Sequence, residues 1–355
     1  MAVGDPCMPY QLCQARSLFL ACYAISLAQG QTLLGKVIKH PTISKYLTSA
    51  QALFKARRLP YTPSIGTDYV DIIMHAVKRY ESVPNRRRMI TDQMTHWLIR
   101  EAKGLPLDHE LRSLLDWVIV GRYTGFRKSE WCQSSQNKYE VILEWPGQPP
   151  LAIIATDIHY LGENEQRLSH TAKASDVHYV KFFWQKQKNG ANGESKIFAR
   201  DKDLPALCPV LATIRIVERA LRLGAPANEP VAVFQTRKKK RAYITDSLTA
   251  KHLRLAALAV LNIGTSDPDL SLWSTHSIRV TAANLLHRQN FSDSFIMQRL
   301  RWKSLAFMEY LRDTIYAATQ HSCLNISDSN LPPLAERSYR DRTPPELAVT
   351  LAAKA

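Results

Sequence analysis

Between residues 140 and 200 the apolar residues of this chain change period, and on both sides of that window their spacing is helical. Inside it, residues 151–156, 177–184 and 196–199 are short runs rich in β-branched and aromatic side chains. Asn189-Gly190-Ala191-Asn192-Gly193 is a strong hairpin turn, because Asn and Gly tolerate the left-handed backbone a tight reversal needs. The expectation is a mainly α chain with a small antiparallel β-sheet.

The helical flanks divide in two. In residues 10–84, Thr42 is expected to cap a helix carrying Ile43, Tyr46, Leu47, Ala50, Leu53 and Phe54. Leu59-Pro60-Tyr61-Thr62-Pro63 breaks it, and a further helix carries Tyr69, Ile72, Ile73, Ala76, Val77 and Tyr80. Such amphipathic helices bury their stripes only against one another, so residues 1–84 read as one helical domain. Val83-Pro84-Asn85-Arg86-Arg87-Arg88 is the linker into a second domain, 85–334, with helices at 91–102, 111–124 and from Pro209 onward. Residues 335–355 are Pro- and Arg-rich, then Ala-rich, and read as an arm or short helix. A length of 355 residues suits two domains.

Charge narrows the partners. The net charge of +16 points to a polyanion, nucleic acid or an acidic membrane surface. The longest apolar stretch, residues 17–28, is well short of the roughly 20 residues a spanning helix needs. Asp5 and Pro6 near the start, with Arg16 the only early base, make a signal peptide unexpected. No GxGxxG or GxxxxGK[ST] string occurs, so dinucleotide and P-loop chemistry lack support. Six cysteines are scattered without a CxxC pair, which argues against a zinc module and a disulfide framework. A cytosolic or nuclear protein is expected, with no zinc module and no dinucleotide or P-loop nucleotide cofactor.

Four local features carry possible chemistry. In Thr124-Gly125-Phe126-Arg127-Lys128-Ser129-Glu130 a glycine turn presents Arg127 at a helix start, with Glu130 one turn on; alone this is also the pattern of a surface salt bridge. In Thr275-His276-Ser277-Ile278-Arg279 the histidine and arginine share a helix face and can grip one phosphate and move one proton, although HxxR alone is weak. Leu300-Arg301-Trp302-Lys303-Ser304 is followed by Phe307-Met308-Glu309-Tyr310; Trp302 can donate its indole N–H, or simply pack. The hairpin segment Trp184-Gln185-Lys186-Gln187-Lys188-Asn189 offers an exposed lysine able to reach across a groove, or a solvated charge.

Taken in order, Arg, hairpin Lys, HxxR, Trp and Tyr resemble the tyrosine recombinase (phage integrase) family. The strings HSIRVTAANLL and IMQRLRWKSLAFMEYLRD are Cre-like, including a tryptophan where many members have a second histidine. TGFRKSEWCQ, QKNGANG and the W-x-S-x-x-F-x-x-Y spacing are more similar to the recombinases of crypton- and DIRS-type mobile elements. The resemblance covers about residues 110–315 by motif and the N-terminal helices by layout.

That resemblance implies a helical, SAM-like core-binding domain followed by a catalytic domain that cuts and rejoins DNA. Tyr310 would be the nucleophile forming a 3′-phosphotyrosyl link, and Arg127 and Arg279 would clamp the non-bridging oxygens. His276 would assist proton transfer, Trp302 would bond the phosphate, and Lys188 would protonate the leaving 5′-oxygen. Glu130 would hold Arg127 or His276. Lys186 is the alternative lysine, and Tyr316 a decoy for the nucleophile. Where the family often has Leu-Gly-His or Gly-Gly-Trp this chain has Leu300-Arg301-Trp302, so either the backbone sits differently there or Arg301 touches DNA.

Double-stranded DNA is the expected partner, held in a two-lobed clamp by phosphate contacts that weaken steeply with salt. Arg86, Arg87 and Arg88 are candidates along the crossing. Lys251, His252 and Arg254 are candidates on an exposed helix face at 248–259, and residues 43–58 are a second candidate reading element. Arg237-Lys238-Lys239-Lys240-Arg241 is a phosphate loop, a nuclear import signal or a solvated run. The resemblance implies a monomer in solution and a homotetramer on DNA, with residues 335–355 docking onto a neighbour. It would be nuclear in a eukaryote and otherwise cytoplasmic with DNA. Competing readings are a type IB topoisomerase-like relaxing enzyme and a catalytically inactive DNA-binding protein on the same fold.

Overall fold

The computed structural model describes residues 8–32, 35–57, 69–81, 86–133, 152–187 and 190–311. The chain divides into two compact units, Met1–Asn85 and Arg86–Ala355. The expected arm at 335–355, the decoy Tyr316 and Lys188 lie outside the described residues.

The first unit contains α1 (Met8–Ala28), α2 (His40–Ala56) and α3 (Tyr69–Tyr80). Leu20, Ala24 and Leu27 of α1 meet Ile43 and Leu47 of α2 and Val70 and Met74 of α3 in one apolar core. Two sequence expectations are corrected here. Thr42 does not cap α2: the helix starts at His40 with Lys39 as its extended N-cap and Pro41 in the first turn, where a missing N–H costs nothing. Tyr46, Leu53, Tyr69, Ile72 and Tyr80 are exposed, because each helix turns only a narrow stripe inward and these residues flank it.

In the second unit side chains cap the first two helices. Thr91 accepts from the Met94 amide at the start of α4 (Asp92–Ala102), and His109 accepts from the Leu111 amide at the start of α5 (Glu110–Thr124). Gly125 ends α5 in the left-handed conformation, at φ 55°. Further along come α6 (Pro209–Arg222), α7 (Asp246–Val260), α8 (Thr275–Arg288) and α9 (Asp293–Leu300), with a 3₁₀ turn over Leu305–Tyr310. Helix α5 is buried along almost its whole length. Gly121 allows this on the α8 side, since a Cβ there would stand 2.2 Å from Cγ2 of Ile278.

The sheet is antiparallel in the order β2-β1-β3-β4: β1 (Ile158–Leu161), β2 (Arg167–Leu168), β3 (Tyr179–Trp184) and β4 (Glu194–Ala199). Trp184 pairs with Glu194 at the end of the β3–β4 ladder, and the Gly193 N–H donates to the Trp184 carbonyl at 2.8 Å; Asn189 lies outside the described residues. Val180, Phe182 and Trp184 alternate onto the core face. Of the expected run at 151–156, the described residues 152–156 do not form a strand of this sheet. Ile154 makes only an isolated bridge to Pro230, and Ala155–Asp157 is a 3₁₀ turn that delivers the chain to β1. A second hairpin, β5 (Val233–Gln235) with β6 (Arg241–Tyr243), is turned by the basic run, whose Arg237, Lys238, Lys239 and Lys240 are exposed. Arg241 is instead paired with Glu229 at 2.6 Å.

Candidate active site

Aromatic packing sets the first arginine. Phe126 lies 5.4 Å from Phe182 and 5.7 Å from Trp184, centroid to centroid, and so ties the residue before Arg127 to β3. Arg127 then opens a 3₁₀ turn, Lys128–Glu130. Its backbone N–H donates to Glu130 Oε2 at 2.9 Å and its Nη1 to Glu130 Oε1 at 2.9 Å. Nη1 also donates to Gln187 Oε1 at 3.1 Å, and Nη2 to the Arg301 carbonyl at 3.0 Å. These bonds engage three of the five N–H groups a guanidinium carries.

The second arginine is held by helix ends. Arg279 of α8 donates to the Gly125 carbonyl at the end of α5 and, at 3.2 Å, to the Leu300 carbonyl at the end of α9. Helix C-termini carry partial negative charge, so both carbonyls suit a cation. Burial first, then the like charge of Arg127, pulls the Arg279 pKa down to about 9, which leaves it charged at neutral pH. Its Cζ lies over the Trp302 ring, 4.0 Å from the centroid. The Trp302 indole N–H is buried and has no hydrogen-bond partner among the described residues.

Tyr310 completes the sequence of contacts. Its ring centroid is 5.2 Å from Trp302 and 5.1 Å from His276, edge-on to the latter. Asn284 Nδ2 donates to its carbonyl at 2.8 Å, pinning the 3₁₀ turn to α8. His276 is neutral at pH 7: burial, then Arg279 and Arg87, pushes its pKa down to about 4. Arg127, Glu130, His276, Arg279, Trp302 and Tyr310 are thus brought into one neighbourhood by α5, α8 and the segment after α9.

Two expectations are corrected. Arg301 does not face DNA: its side chain is 0% exposed and bonds Glu130 through Nη1 at 3.1 Å and Nη2 at 2.8 Å. The backbone at 301 is left-handed, φ 59°, and ends α9, which turns the side chain inward onto Trp184. Of the two partners expected for Glu130, Arg127 or His276, the structure has Arg127, and Glu130 also takes Arg301. Burial raises its carboxyl pKa, but Arg301, then Arg127 and Arg279, outweigh that and leave it lowered. His252 is not on an exposed face; it is buried and meets Glu110 at 3.1 Å.

Of the basic candidates, Arg86 and Lys251 are exposed and Arg254 is half-buried. Arg88 is paired with Asp269. Arg87, Lys128, Lys251, Arg254, Ser274 and His276 line a cleft of about 550 Å³. Lys186 is half-buried just past the end of β3. Gln187, missed in the sequence between the two candidate lysines Lys186 and Lys188, is buried and bonded to Arg127. Among the described residues no group of three or more His, Cys, Asp or Glu side chains is placed to hold a metal ion, and no helix is long and apolar enough to cross a membrane.

The structures this chain is similar to are those of DNA integrases and site-specific recombinases. The Tn1549 transposon integrase in complex with circular intermediate DNA is 12% identical over 86% of this chain and 84% of that one, TM-score 0.45. A lambda integrase dimer bound to a core site is 15% identical over 84% and 80%, TM-score 0.45. XerA recombinase is 14% identical over 87% and 83%, TM-score 0.39. No protein-family model and no curated protein matches the chain.

Proposed function

We propose that this protein is a tyrosine-type DNA strand transferase, a site-specific recombinase or integrase working through a 3′-phosphotyrosyl intermediate. The observation that carries the reading is the placement of Tyr310 between neutral His276 and Trp302, whose ring lies under the Arg279 guanidinium.

The Tyr310 hydroxyl oxygen attacks a backbone phosphorus. The new P–O(Tyr) bond forms as the bond to the 5′-oxygen breaks, so the phosphodiester energy is kept for rejoining. His276, unprotonated at pH 7, takes the phenolic proton. Lys188 gives a proton to the departing 5′-oxygen. Extra negative charge on the phosphorane is met by the N–H groups that Arg127 and Arg279 do not use internally and by the unpartnered Trp302 N–H. Glu130 orients Arg127.

Double-stranded DNA is the partner in this reading. Residues 1–84 are a helical core-binding domain and 85–334 the catalytic domain. The cleft of Arg87, Lys251 and Arg254 beside His276 takes phosphates flanking the cut. Strand exchange between two duplexes requires four copies on DNA.

The test is covalent capture. The full chain is incubated with nicked duplexes of randomised sequence, on which cleavage releases a short 5′-hydroxyl fragment and traps the protein. The expected result is an adduct that survives denaturation and recurs on selected sequences. Supercoil relaxation without strand exchange on those sequences points instead to the topoisomerase-like enzyme, and no adduct on any duplex rejects the reading.

A further inference from the structure

Position 301 asks for a glycine. Its backbone is left-handed at the end of α9, a conformation glycine adopts without a Cβ penalty. An arginine there costs backbone strain and, because the side chain is fully buried, desolvation of a charge. Something in the surroundings must offset both.

The surroundings are Glu130, Gln187 and Trp184. The Arg301 guanidinium meets both Glu130 oxygens, stands 3.4 Å from Gln187 Oε1 and lies 3.7 Å from the Trp184 centroid. Glu130 Oε1 and Gln187 Oε1 are also the acceptors for Arg127 Nη1. Two guanidiniums therefore share one carboxylate and one amide oxygen. A carboxylate left to Arg127 alone competes with any phosphate that Arg127 is to bind.

We propose that Arg301 is a positioning residue: it takes up the charge of Glu130 so that Glu130 orients Arg127 without neutralising it for a phosphate ligand. This rests on the proposed function, in which Arg127 binds the scissile phosphate. Arg301 acts through Glu130 and touches no substrate. Its contact with Gln187, which lies beyond the end of β3 at Trp184, joins that residue to the same cluster.

The experiment compares wild type, Arg301→Gln, Glu130→Gln and the double variant as full chains, after melting curves establish which are folded. Adduct formation is timed at saturating DNA, and DNA affinity is measured separately. Arg301→Gln is expected to slow adduct formation at least tenfold while changing affinity less than threefold. The double variant, which restores the charge balance, is expected to recover to within threefold of Glu130→Gln. A folded Arg301→Gln with the wild-type rate overturns the proposal. So does a double variant that melts like Glu130→Gln yet cleaves more than tenfold more slowly, because Arg301 then acts by another route. That second comparison holds even if Arg301→Gln alone does not fold. Absence of an adduct from wild type overturns the functional reading and this proposal together; an adduct from wild type with either result above overturns this proposal alone.

Discussion

The guanidinium of Arg279 lies over a ring whose only polar group has no partner among the described residues: its Cζ is 4.0 Å from the Trp302 centroid, and the indole N–H finds no acceptor. A buried donor without a partner costs roughly 1–3 kcal/mol. Beside a guanidinium with N–H groups to spare, that cost has a use if an anion arrives. Trp302→Phe keeps an aromatic ring, though a smaller one, and removes the donor. It is expected to slow adduct formation about 10²-fold, in the range of losing one donor to a developing anion, while DNA affinity changes little. An unchanged rate in a folded Trp302→Phe shows that the N–H has no part in the chemistry.

The closeness of α5 and α8 makes a stability prediction. Gly121→Ala places a methyl 2.2 Å from Cγ2 of Ile278. Overpacking of about 1–3 kcal/mol is expected, outweighing the helical advantage of alanine, about 1 kcal/mol. Ile278→Ala in the same chain removes the clashing group, so the double variant loses less than the sum of the singles in denaturant unfolding. Strict additivity contradicts the close approach.

The low pKa of His276 has a sign that can be checked. The folded value, about 4, lies below the ordinary one, so the neutral ring is what folding favours. The stability linked to it is complete above pH 6.5 and is lost as pH falls through the folded value, by roughly 3 kcal/mol in all. His276→Gln removes this term. Between pH 7.5 and 4.5 the variant is expected to lose about 2 kcal/mol less than wild type in urea melts. Parallel losses contradict a buried neutral histidine.

How much of this was legible depends on range along the chain. Arg127 with Glu130, and His276 with Arg279, are pairs three residues apart, so helical spacing alone exposes them. Thr91 and Gly125 announce their helix ends in the same local way. Arg301 is different. It stands out in sequence only as a non-glycine at a turn, and its fate is decided by Glu130, 171 positions away. No periodicity reports such a pairing, and a lone arginine in a basic chain reads as a surface charge. Strands β2, β5 and β6 have two or three residues, too few for an alternating pattern. Tyr46 and Tyr69 look like core because aromatic residues flank the stripes of helices with few charges to mark the outer side.

The cleft beside His276 predicts a salt dependence. If Arg87 and Lys251 meet backbone phosphates, neutralising either weakens binding to all duplexes about equally. Each is expected to reduce the slope of log affinity against log salt by about 1. Variants that alter sequence preference but leave the slope intact contradict phosphate contact there.

The account stands on Tyr310. Protein trapped on a suicide duplex is digested with protease and nuclease, and the nucleotide-bearing peptide is sequenced by mass spectrometry. The predicted result is a single modified residue, Tyr310, with no adduct formed by Tyr310→Phe that still binds DNA. A nucleotide attached to any other side chain, or an adduct that persists in Tyr310→Phe, contradicts it.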